Sequence, residues 1–274
     1  MGHGIAQVAA TAGYETRLTD ADPAARERAL RRIAENLEGA VRRGRLSPAE
    51  RAAALGRLRW YDRVEDAAYG AALVIEAIVE QLPAKLELFR RLDLATTADA
   101  VLATNTSALP VTRIAAVARH AERVVGMHFF NPVHIMKLVE IVTHDRAAPA
   151  TIERVREIAV RMGKEPIVVR DTPGFATSRL GVVLGLEAIR MLEQGVASAG
   201  DIDRAMELGY NHPMGPLRLT DVVGLDVRLA IAEHLHDTLG GDTYCPPQLL
   251  RDKVARGELG KKTGQGFYRW ENER

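Results

Sequence analysis

The sequence predicts an α/β protein, in which a doubly wound domain with a largely parallel sheet precedes a smaller all-helical domain. In the first two thirds of the 274 residues, short apolar runs alternate with amphipathic segments, which is the pattern of βαβ units. From about Asp171 helical periodicity runs almost unbroken, and only residues 266–268 suggest a strand. Asp171-Thr172-Pro173-Gly174 therefore reads as the junction between residues 1–171 and 172–274.

Each element of the first domain follows from its length and its periodicity. Runs of four to eight apolar residues are typical of strands, whereas longer segments with a repeat near 3.6 residues are typical of helices. An apolar helix opens the chain at Met1. The predicted strands cover residues 15–20, 72–77, 101–105, 124–129, 138–142 and 166–169, and the predicted helices cover 23–43, 83–95, 111–119 and 150–162.

The composition of the chain limits the kinds of partner that it can bind. The chain is 47% hydrophobic with a formal net charge of +1, so it offers no bulk attraction to nucleic acid or to a membrane surface. No uncharged run approaches the length of a membrane helix, and no basic residue precedes the first apolar segment as it would in a signal peptide. Cys245 is the only cysteine, which favours a reducing, cytoplasmic location. No histidine, cysteine and carboxylate cluster has metal-ligand spacing, so we expect no metal.

The first twenty residues contain part of a dinucleotide-binding pattern. In the Rossmann-type fingerprint the third glycine lies in the first helix, and an acidic residue about 20 positions later binds the ribose hydroxyls. Gly2 and Asp20 fit these two roles. No arginine directly follows Asp20 to receive a 2′-phosphate, which favours NAD over NADP. The preceding strand and the first two glycines are lacking, and our hypothesis is that the natural protein begins upstream of Met1.

A histidine and a carboxylate mark the most informative block of the chain, residues 126–140. His128 lies near the end of one apolar run, and Glu140 lies in the next. If these runs are neighbouring strands, the two side chains meet although twelve positions separate them. A histidine oriented by a buried carboxylate is a general base near neutral pH, so the block predicts acid–base chemistry at His128.

Together these motifs resemble the 3-hydroxyacyl-CoA dehydrogenase family, specifically its short-chain 3-hydroxybutyryl-CoA type. The resemblance covers nearly the whole chain and keeps the family's order. Its segments are MGHGIAQ at 1–7, IEAIVE at 75–80, TNTS at 104–107, the block 126–140, DTPGF at 171–175, PMGP at 213–216 and GKKTGQGFY at 260–268.

The resemblance implies NAD-dependent, reversible oxidation of an (S)-3-hydroxyacyl-CoA, with His128 as general base and Glu140 as its orienting partner. It implies that Ser107 and Asn131 hydrogen-bond the substrate oxygen and position it against the nicotinamide, which makes them contacts of the cofactor as well. It also implies a homodimer formed through the helical domain. Three further residues, Glu80, Lys85 and Lys262, would lie at the cofactor.

Arg43 and Ser178 are further candidate contacts for the substrate. Arg43 belongs to the basic stretch 42–45 and is a candidate contact for a coenzyme A phosphate. Ser178 stands where the family commonly carries asparagine, and a hydroxyl offers fewer hydrogen-bonding groups than an amide. Two other functions stay open: a related sugar-acid dehydrogenase of the gulonate type, and a non-catalytic NAD-binding protein.

Overall fold

The protein is described here from a computed structural model, which covers residues 1–270. The chain divides into two compact units, one from Met1 to Asp171 and the other from Thr172 onward. The α/β class of the first unit and the helical character of the second confirm the predicted fold class. None of the helices described between residues 1 and 270 is long and apolar enough to cross a membrane.

The first unit contains seven strands and seven α-helices within its described residues. The strands are β1 Thr16–Leu18, β2 Leu58–Trp60, β3 Leu73–Glu76, β4 Val101–Thr104, β5 Val124–Phe129, β6 Leu138–Thr143 and β7 Glu165–Arg170. The helices are α1 Gly2–Thr11, α2 Pro23–Arg42, α3 Pro48–Gly56, α4 Val64–Ala68, α5 Leu82–Ala95, α6 Val111–Ala115 and α7 Pro149–Arg161.

These strands form two sheets. A five-stranded sheet has the order β3-β4-β5-β6-β7, and a separate pair joins β1 to β2. All pairings are parallel except β5 with β6, which is antiparallel. The antiparallel step follows from the short link between the two strands, because a parallel neighbour requires a longer crossover. It sets the register that matters for the site.

Helices cover both faces of the larger sheet, so alternate strand residues enter two different cores. Met127 and Phe129 point into a cluster with α1 and α7, whereas Leu102 and Val124 point into a cluster with α5 and α6. This explains why β4 and β5 are buried along their whole length and read as continuous apolar runs rather than as alternating ones.

The sequence prediction missed the whole stretch between α2 and β3. Residues 48–68 form α3, β2 and then the short helix α4. Helix α3 begins with a capping box, in which the Ser47 hydroxyl accepts from the Glu50 backbone N–H and the Glu50 carboxylate accepts from that of Ser47. That Ser-x-x-Glu signal was present in the sequence. The strand is only three residues long, Leu58–Trp60, too short for a periodicity argument.

The second unit is helical in its described part. Its α-helices are α8 Thr177–Glu193, α9 Ala199–Gly209, α10 Pro216–Val223, α11 Leu225–Leu239 and α12 Gln248–Ala255. Residues 266–268 do not form the suggested strand; only isolated bridges occur nearby, Gly260 with Gln265 and Gln265 with Arg269. Asp221 organises this segment instead: its buried carboxylate accepts from the backbone N–H groups of Phe267 and Tyr268 at 2.8 and 2.9 Å.

Candidate active site

His128 and Glu140 lie directly opposite each other on β5 and β6. The imidazole Nδ1 is 2.8 Å from the Glu140 Oε2. Glu140 is fully buried, and His128 is 7% exposed. Opposed residues of an antiparallel pair project from the same face of the sheet. The register therefore brings together two side chains that are twelve positions apart, as the sequence hypothesis required.

The hydrogen bond decides which ring nitrogen of His128 can accept a proton. An ionised carboxylate can only accept hydrogen bonds, so Nδ1 carries the hydrogen and Nε2 carries the basic lone pair. The ring of Phe130 lies beside the imidazole, with centroids 4.4 Å apart. The arrangement can take a proton at Nε2 and stabilise the resulting imidazolium through Glu140.

Ser107 lies in the loop after β4, where Glu80 holds the backbone. The Glu80 Oε1 accepts from the Ser107 backbone N–H at 2.9 Å and from the Thr106 hydroxyl at 2.5 Å. Burial favours the neutral form of Glu80, but the Thr106 hydrogen bond and the charge of Lys85 outweigh it and lower the pKa of this carboxyl. Glu80 therefore holds the loop as a charged acceptor.

A buried ion pair lies beneath that loop. Lys85 is 1% exposed, and its Nζ lies 2.6 Å from the Glu76 Oε1 and 3.2 Å from the Glu80 Oε2. Glu76 also accepts from the Thr104 hydroxyl and from the Ile78 backbone N–H, both at 2.7 Å. In this structure Lys85 therefore contacts the two carboxylates, and its predicted contact with the cofactor stays a prediction.

The end of β5 is fixed by a side chain that the sequence reasoning did not single out. Asn105 follows β4, and its Oδ1 accepts from the Phe129 backbone N–H at 2.9 Å. The bond ties the residue after His128 to the end of the neighbouring strand. Asn131 comes three positions after His128 and is exposed, in the loop at the same strand end.

The residues expected at the nucleotide lie near the beginning of the chain. Gly2 is the first residue of α1, and a Cβ built on it would come within 3.9 Å of the Ala77 Cβ, an ordinary contact. Gly4 is the tighter position, since a Cβ there would lie 2.9 Å from the Val133 side chain. Asp20 is exposed after β1, where its Oδ1 accepts from the Asp22 backbone N–H at 3.0 Å.

Arg43 is exposed and closes the carboxyl end of α2. Its positive charge acts on His134, six residues beyond His128, whose pKa is lowered by burial and then by the charges of Arg43 and Lys164. The first unit therefore gathers positive charge around the loop that follows β5.

Two further residues lie in the second unit. Ser178 is half-buried in the first turn of α8. The Lys262 Nζ lies 2.5 and 2.6 Å from the two carboxylate oxygens of Asp226, in the first turn of α11. The hydrogen bond from Lys262 is the largest influence that lowers the pKa of Asp226.

The residues that sequence reasoning missed are those that hold others in place. Glu76 is an acidic residue inside an apolar run, and such a residue is rarely buried without a partner. That rule could have singled out Glu76, to which the sequence motifs assigned no role. Asn105 carries no comparable signal, because polar residues at strand ends are common.

The comparisons with known proteins concern the whole chain. Residues 1–172 match the family profile described as 3-hydroxyacyl-CoA dehydrogenase, NAD binding domain, and residues 174–270 match the one described as 3-hydroxyacyl-CoA dehydrogenase, C-terminal domain. The first profile confirms the prediction of NAD as the cofactor.

Individual relatives agree with the profiles. The chain is 44% identical over 273 residues to a probable 3-hydroxybutyryl-CoA dehydrogenase of Bacillus subtilis, a match of 100% of this chain and 95% of that protein. It is 43% identical over 272 residues to a 3-hydroxybutyryl-CoA dehydrogenase of Mycobacterium tuberculosis, covering 98% and 94%. The crystal structure of an (S)-3-hydroxybutyryl-CoA dehydrogenase from Ralstonia eutropha superposes with a TM-score of 0.95 at 37% identity, covering 99% and 96%.

Proposed function

The chain belongs to the 3-hydroxyacyl-CoA dehydrogenase family, and on that premise we propose that it interconverts (S)-3-hydroxybutanoyl-CoA and its 3-oxo thioester. It is an NAD-dependent oxidoreductase that acts on the CH–OH group of a 3-hydroxyacyl-CoA. The short acyl chain is the part of the proposal supported by the relatives named above. The observation that carries the mechanism is the buried 2.8 Å contact between His128 and Glu140.

In the oxidative direction the His128 Nε2 takes the proton of the 3-hydroxyl. Glu140 keeps the hydrogen on Nδ1 and stabilises the positive charge that develops on the ring, the role that the aspartate plays in a serine-hydrolase triad. NAD, when bound, supplies the acceptor for the hydride that leaves carbon 3. In the reductive direction the His128 imidazolium returns the proton to the oxygen.

Ser107 and Asn131 complete the oxygen site in this proposal. Each offers a hydrogen-bond donor to the substrate oxygen, and each lies in a loop at the end of a strand next to the reacting histidine. The Glu80 carboxylate holds the Ser107 backbone at 2.9 Å. Because Glu76 and Lys85 support Glu80 from within the protein, we assign these two residues to positioning the Ser107 loop rather than to direct chemistry.

The first unit has features suited to NAD. Gly2 at the start of α1, Asp20 after β1 and Ala77 after β3 line the same cavity. The amino end of a helix binds pyrophosphate through its backbone N–H groups and its dipole, and an exposed carboxylate beyond a strand can accept from ribose hydroxyls. Residues 1–171 are therefore proposed as the NAD domain, with Lys262 of residues 172–274 as a further contact.

Coenzyme A requires contacts with phosphate and with the thioester. Arg43 is proposed for a phosphate, because its exposed guanidinium belongs to the positive region near His134. Ser178 is proposed as a hydrogen-bond donor to the substrate carbonyl. A Ser178→Ala variant, which lacks any side-chain donor, would remove that assignment if its turnover were unchanged.

The proposal is tested by following NADH consumption with acetoacetyl-CoA. We expect the unsubstituted protein to turn over acetoacetyl-CoA. In His128→Gln we expect kcat to fall about 10³-fold, since positioned proton transfer contributes about 10²–10⁴-fold. His120→Gln is the matched control, because His120 is an exposed histidine paired with Glu122; its kcat should not change.

Other outcomes would contradict the proposal. Equal turnover by His128→Gln would remove the assigned base. Oxidation of a gulonate-type sugar acid without any response to acetoacetyl-CoA would favour the sugar-acid alternative. No binding of NAD by the natural protein would favour a non-enzymatic role.

We also propose that the protein works in the cytoplasm as a homodimer formed through its helical unit. The single cysteine supports the location. Exposed apolar side chains on α10 and α11 support the dimer, because such side chains mark interaction sites when they cluster. Fractionation of the source cells and the mass of the protein in solution test the two statements separately.

A further inference from the structure

The loop after β5 is held by a lysine from another part of the first unit. Residues 130–137 join β5 to β6 and begin two positions after His128. Lys164 lies between α7 and β7 and is 6% exposed. Its Nζ donates to the carbonyl oxygens of Val133 and Met136, the latter at 2.9 Å. The ammonium therefore bonds the backbone of the loop at two points.

The end of α7 and the start of β7 fix the backbone of Lys164. Gly163 has a φ of 73°, and the Lys164 N–H donates to the Ala159 carbonyl at 2.9 Å. These are features of a Schellman motif, in which the chain leaves a helix through a left-handed residue that is usually glycine. Glu165 then pairs with Leu138 in the parallel ladder of β6 and β7. The position of Lys164 thus follows from a helix end and from strand register.

The charge of Lys164 is balanced by loop carbonyls rather than by a carboxylate. Among the described residues no carboxylate pairs with its ammonium, and burial alone lowers the pKa of this group. Lysines are almost never buried without a partner, because removing an ammonium from water is costly. The carbonyls of Val133 and Met136 replace part of the lost hydration. The loop conformation that presents both oxygens to Lys164 is therefore stabilised over others.

The two carbonyls belong to a compact turn that follows Asn131 directly. The N–H groups of Ile135 and Met136 both donate to the Pro132 carbonyl, each at 2.9 Å. These bonds close the turn, so an ammonium that holds two of its carbonyls fixes the turn as a whole. Asn131 lies where this turn joins the end of β5, and its position depends on that of the turn.

Helix α1 contacts the same turn through Val133. A Cβ built on Gly4 would lie only 2.9 Å from the Val133 side chain, so glycine at this position allows the turn to approach the helix closely. Val133 is buried. Because α1 limits the movement of the turn, loss of the bonds from Lys164 should let the turn shift by a small distance rather than unfold.

We propose that Lys164 is a positioning residue for the reaction, because its ammonium holds the turn that places Asn131 at the substrate oxygen. Lys164 touches neither substrate nor cofactor in this proposal. It acts through the backbone of the turn and so through the Asn131 amide. The inference rests on the proposed function in one respect, the contact between Asn131 and the substrate oxygen.

The test is the kcat for acetoacetyl-CoA and NADH in Lys164→Met, which keeps a long side chain and removes its charge and its donors. We expect kcat to fall by about 10²-fold, since a displacement of about 1 Å can cost that much. Lys137→Met is the matched control. Lys137 lies in the same loop, but its exposed ammonium is 3.4 Å from the exposed Glu165 carboxylate, so its kcat should not change.

A double-mutant cycle with Asn131→Ala distinguishes positioning from a general loss of structure. The effects of independent substitutions multiply, whereas the effects of two substitutions on one contact do not. If Lys164 acts through Asn131, Lys164→Met should lower kcat by no more than about 2-fold in the Asn131→Ala protein. An unchanged kcat in Lys164→Met overturns the proposal, and so does an equal loss of kcat with and without Asn131→Ala.

Amide hydrogen exchange at Ile135 and Met136 gives a second readout, which does not depend on turnover. We expect both amides to exchange about 10-fold faster in Lys164→Met and at an unchanged rate in Lys137→Met. An unsubstituted protein without turnover overturns the proposed function, whereas equal exchange in Lys164→Met overturns the role of Lys164. If Lys164→Met does not fold, Lys164→Arg replaces it with the same expected losses, because a planar guanidinium cannot take the place of the compact ammonium.

Discussion

At the residue scale, the site depends on one side chain that reacts and several that hold others in place. His128 can act as a base at Nε2 because Glu140 occupies Nδ1 at 2.8 Å. Ser107 has a defined backbone position because Glu80 accepts its N–H. The positioning groups are carboxylates shielded from water to different degrees: Glu140 is fully buried, whereas Glu80 is exposed. We therefore expect the loss in kcat and the loss in stability to differ from one carboxylate variant to the next.

The Glu140→Gln variant tests the orienting role. The amide can donate as well as accept, so the His128 tautomer is no longer fixed and the imidazolium loses its counter-charge. We expect kcat to fall by about 10²–10⁴-fold with little change in KM, by analogy with the loss of the aspartate in a hydrolase triad. The measurement is steady-state turnover of acetoacetyl-CoA and NADH. A larger change in KM than in kcat would mean that Glu140 acts on binding instead.

The Glu76→Gln variant tests the buried support of the Ser107 loop. It leaves the Lys85 ammonium in a buried position with only the more distant Glu80 as counter-charge. Breaking a buried ion pair costs about 3–5 kcal/mol, and we expect a loss in the free energy of unfolding in that range, with a lower kcat. Chemical denaturation measures the free energy of unfolding, and the acetoacetyl-CoA assay measures kcat.

Glu65→Gln is the matched control for Glu76→Gln. Glu65 pairs with Arg91 at the surface, where an ion pair contributes about 0–1 kcal/mol. Equal losses of stability in the two variants would contradict the role assigned to burial, and unchanged turnover in Glu76→Gln would contradict the support of the loop.

At the scale of the elements, side chains at the ends of helices and strands fix how the segments meet. Asp203 illustrates this in the second unit. An acidic residue near the start of a helix is typical of a first-turn acid, but the Asp203 carboxylate is buried and accepts from the backbone N–H groups of Leu217 and Arg218 at the start of α10. Its neighbour Asp201 does lie in the first turn of α9. Local sequence could not separate these two roles.

Asp93 on α5 provides the prediction about pH. Burial alone would raise its pKa, but hydrogen bonds from Arg123 and Arg119 lower it from 3.8 to about 2. Since the pKa is lower in the folded state, the contribution to stability is present above pH 4 and is lost as the pH falls toward 2. The shift corresponds to about 2 kcal/mol.

The measurement compares the natural protein with Asp93→Asn by denaturation at several pH values. We expect the difference in unfolding free energy to be largest near neutral pH and to shrink below pH 4. A difference that is constant over this range would show that the ionisation of Asp93 does not stabilise the fold.

At the scale of the whole molecule, the second unit has an apolar surface suited to self-association. Leu219, Val222 and Val223 of α10 are 39%, 46% and 42% exposed, and Val227 of α11 is 41% exposed. Obligate interfaces are richer in apolar residues than the rest of a protein surface. We therefore expect a mass in solution twice that of one chain.

The Val222→Glu variant tests this expectation, because it places a charge in the proposed interface. We expect its mass in solution, measured by light scattering, to fall toward that of a single chain. The control is Val160→Glu, since Val160 is 60% exposed on α7 of the first unit. A monomeric natural protein, or a dimer unaffected by Val222→Glu, would contradict the proposed interface.

The sequence by itself determined the fold class and the family, and it identified His128 and Glu140 as a candidate pair. These follow from local patterns: the spacing of apolar residues, turn residues and motifs that keep their order along the chain. Gly2 and Asp20 fit part of a known fingerprint, so the sequence also indicated a nucleotide-binding first domain. It did not predict β2, whose three residues are too few for a periodic signal.

Only the tertiary structure decided which polar residues support others. The antiparallel register places Glu140 opposite His128, and the packing of α5 against the sheet brings Lys85 to Glu76. The tertiary structure also shows that residues of β1 and β3 line the same cavity of the first unit. The physical reason is that such contacts join segments far apart in sequence, so strand register and burial determine them, and local propensity carries little information about either.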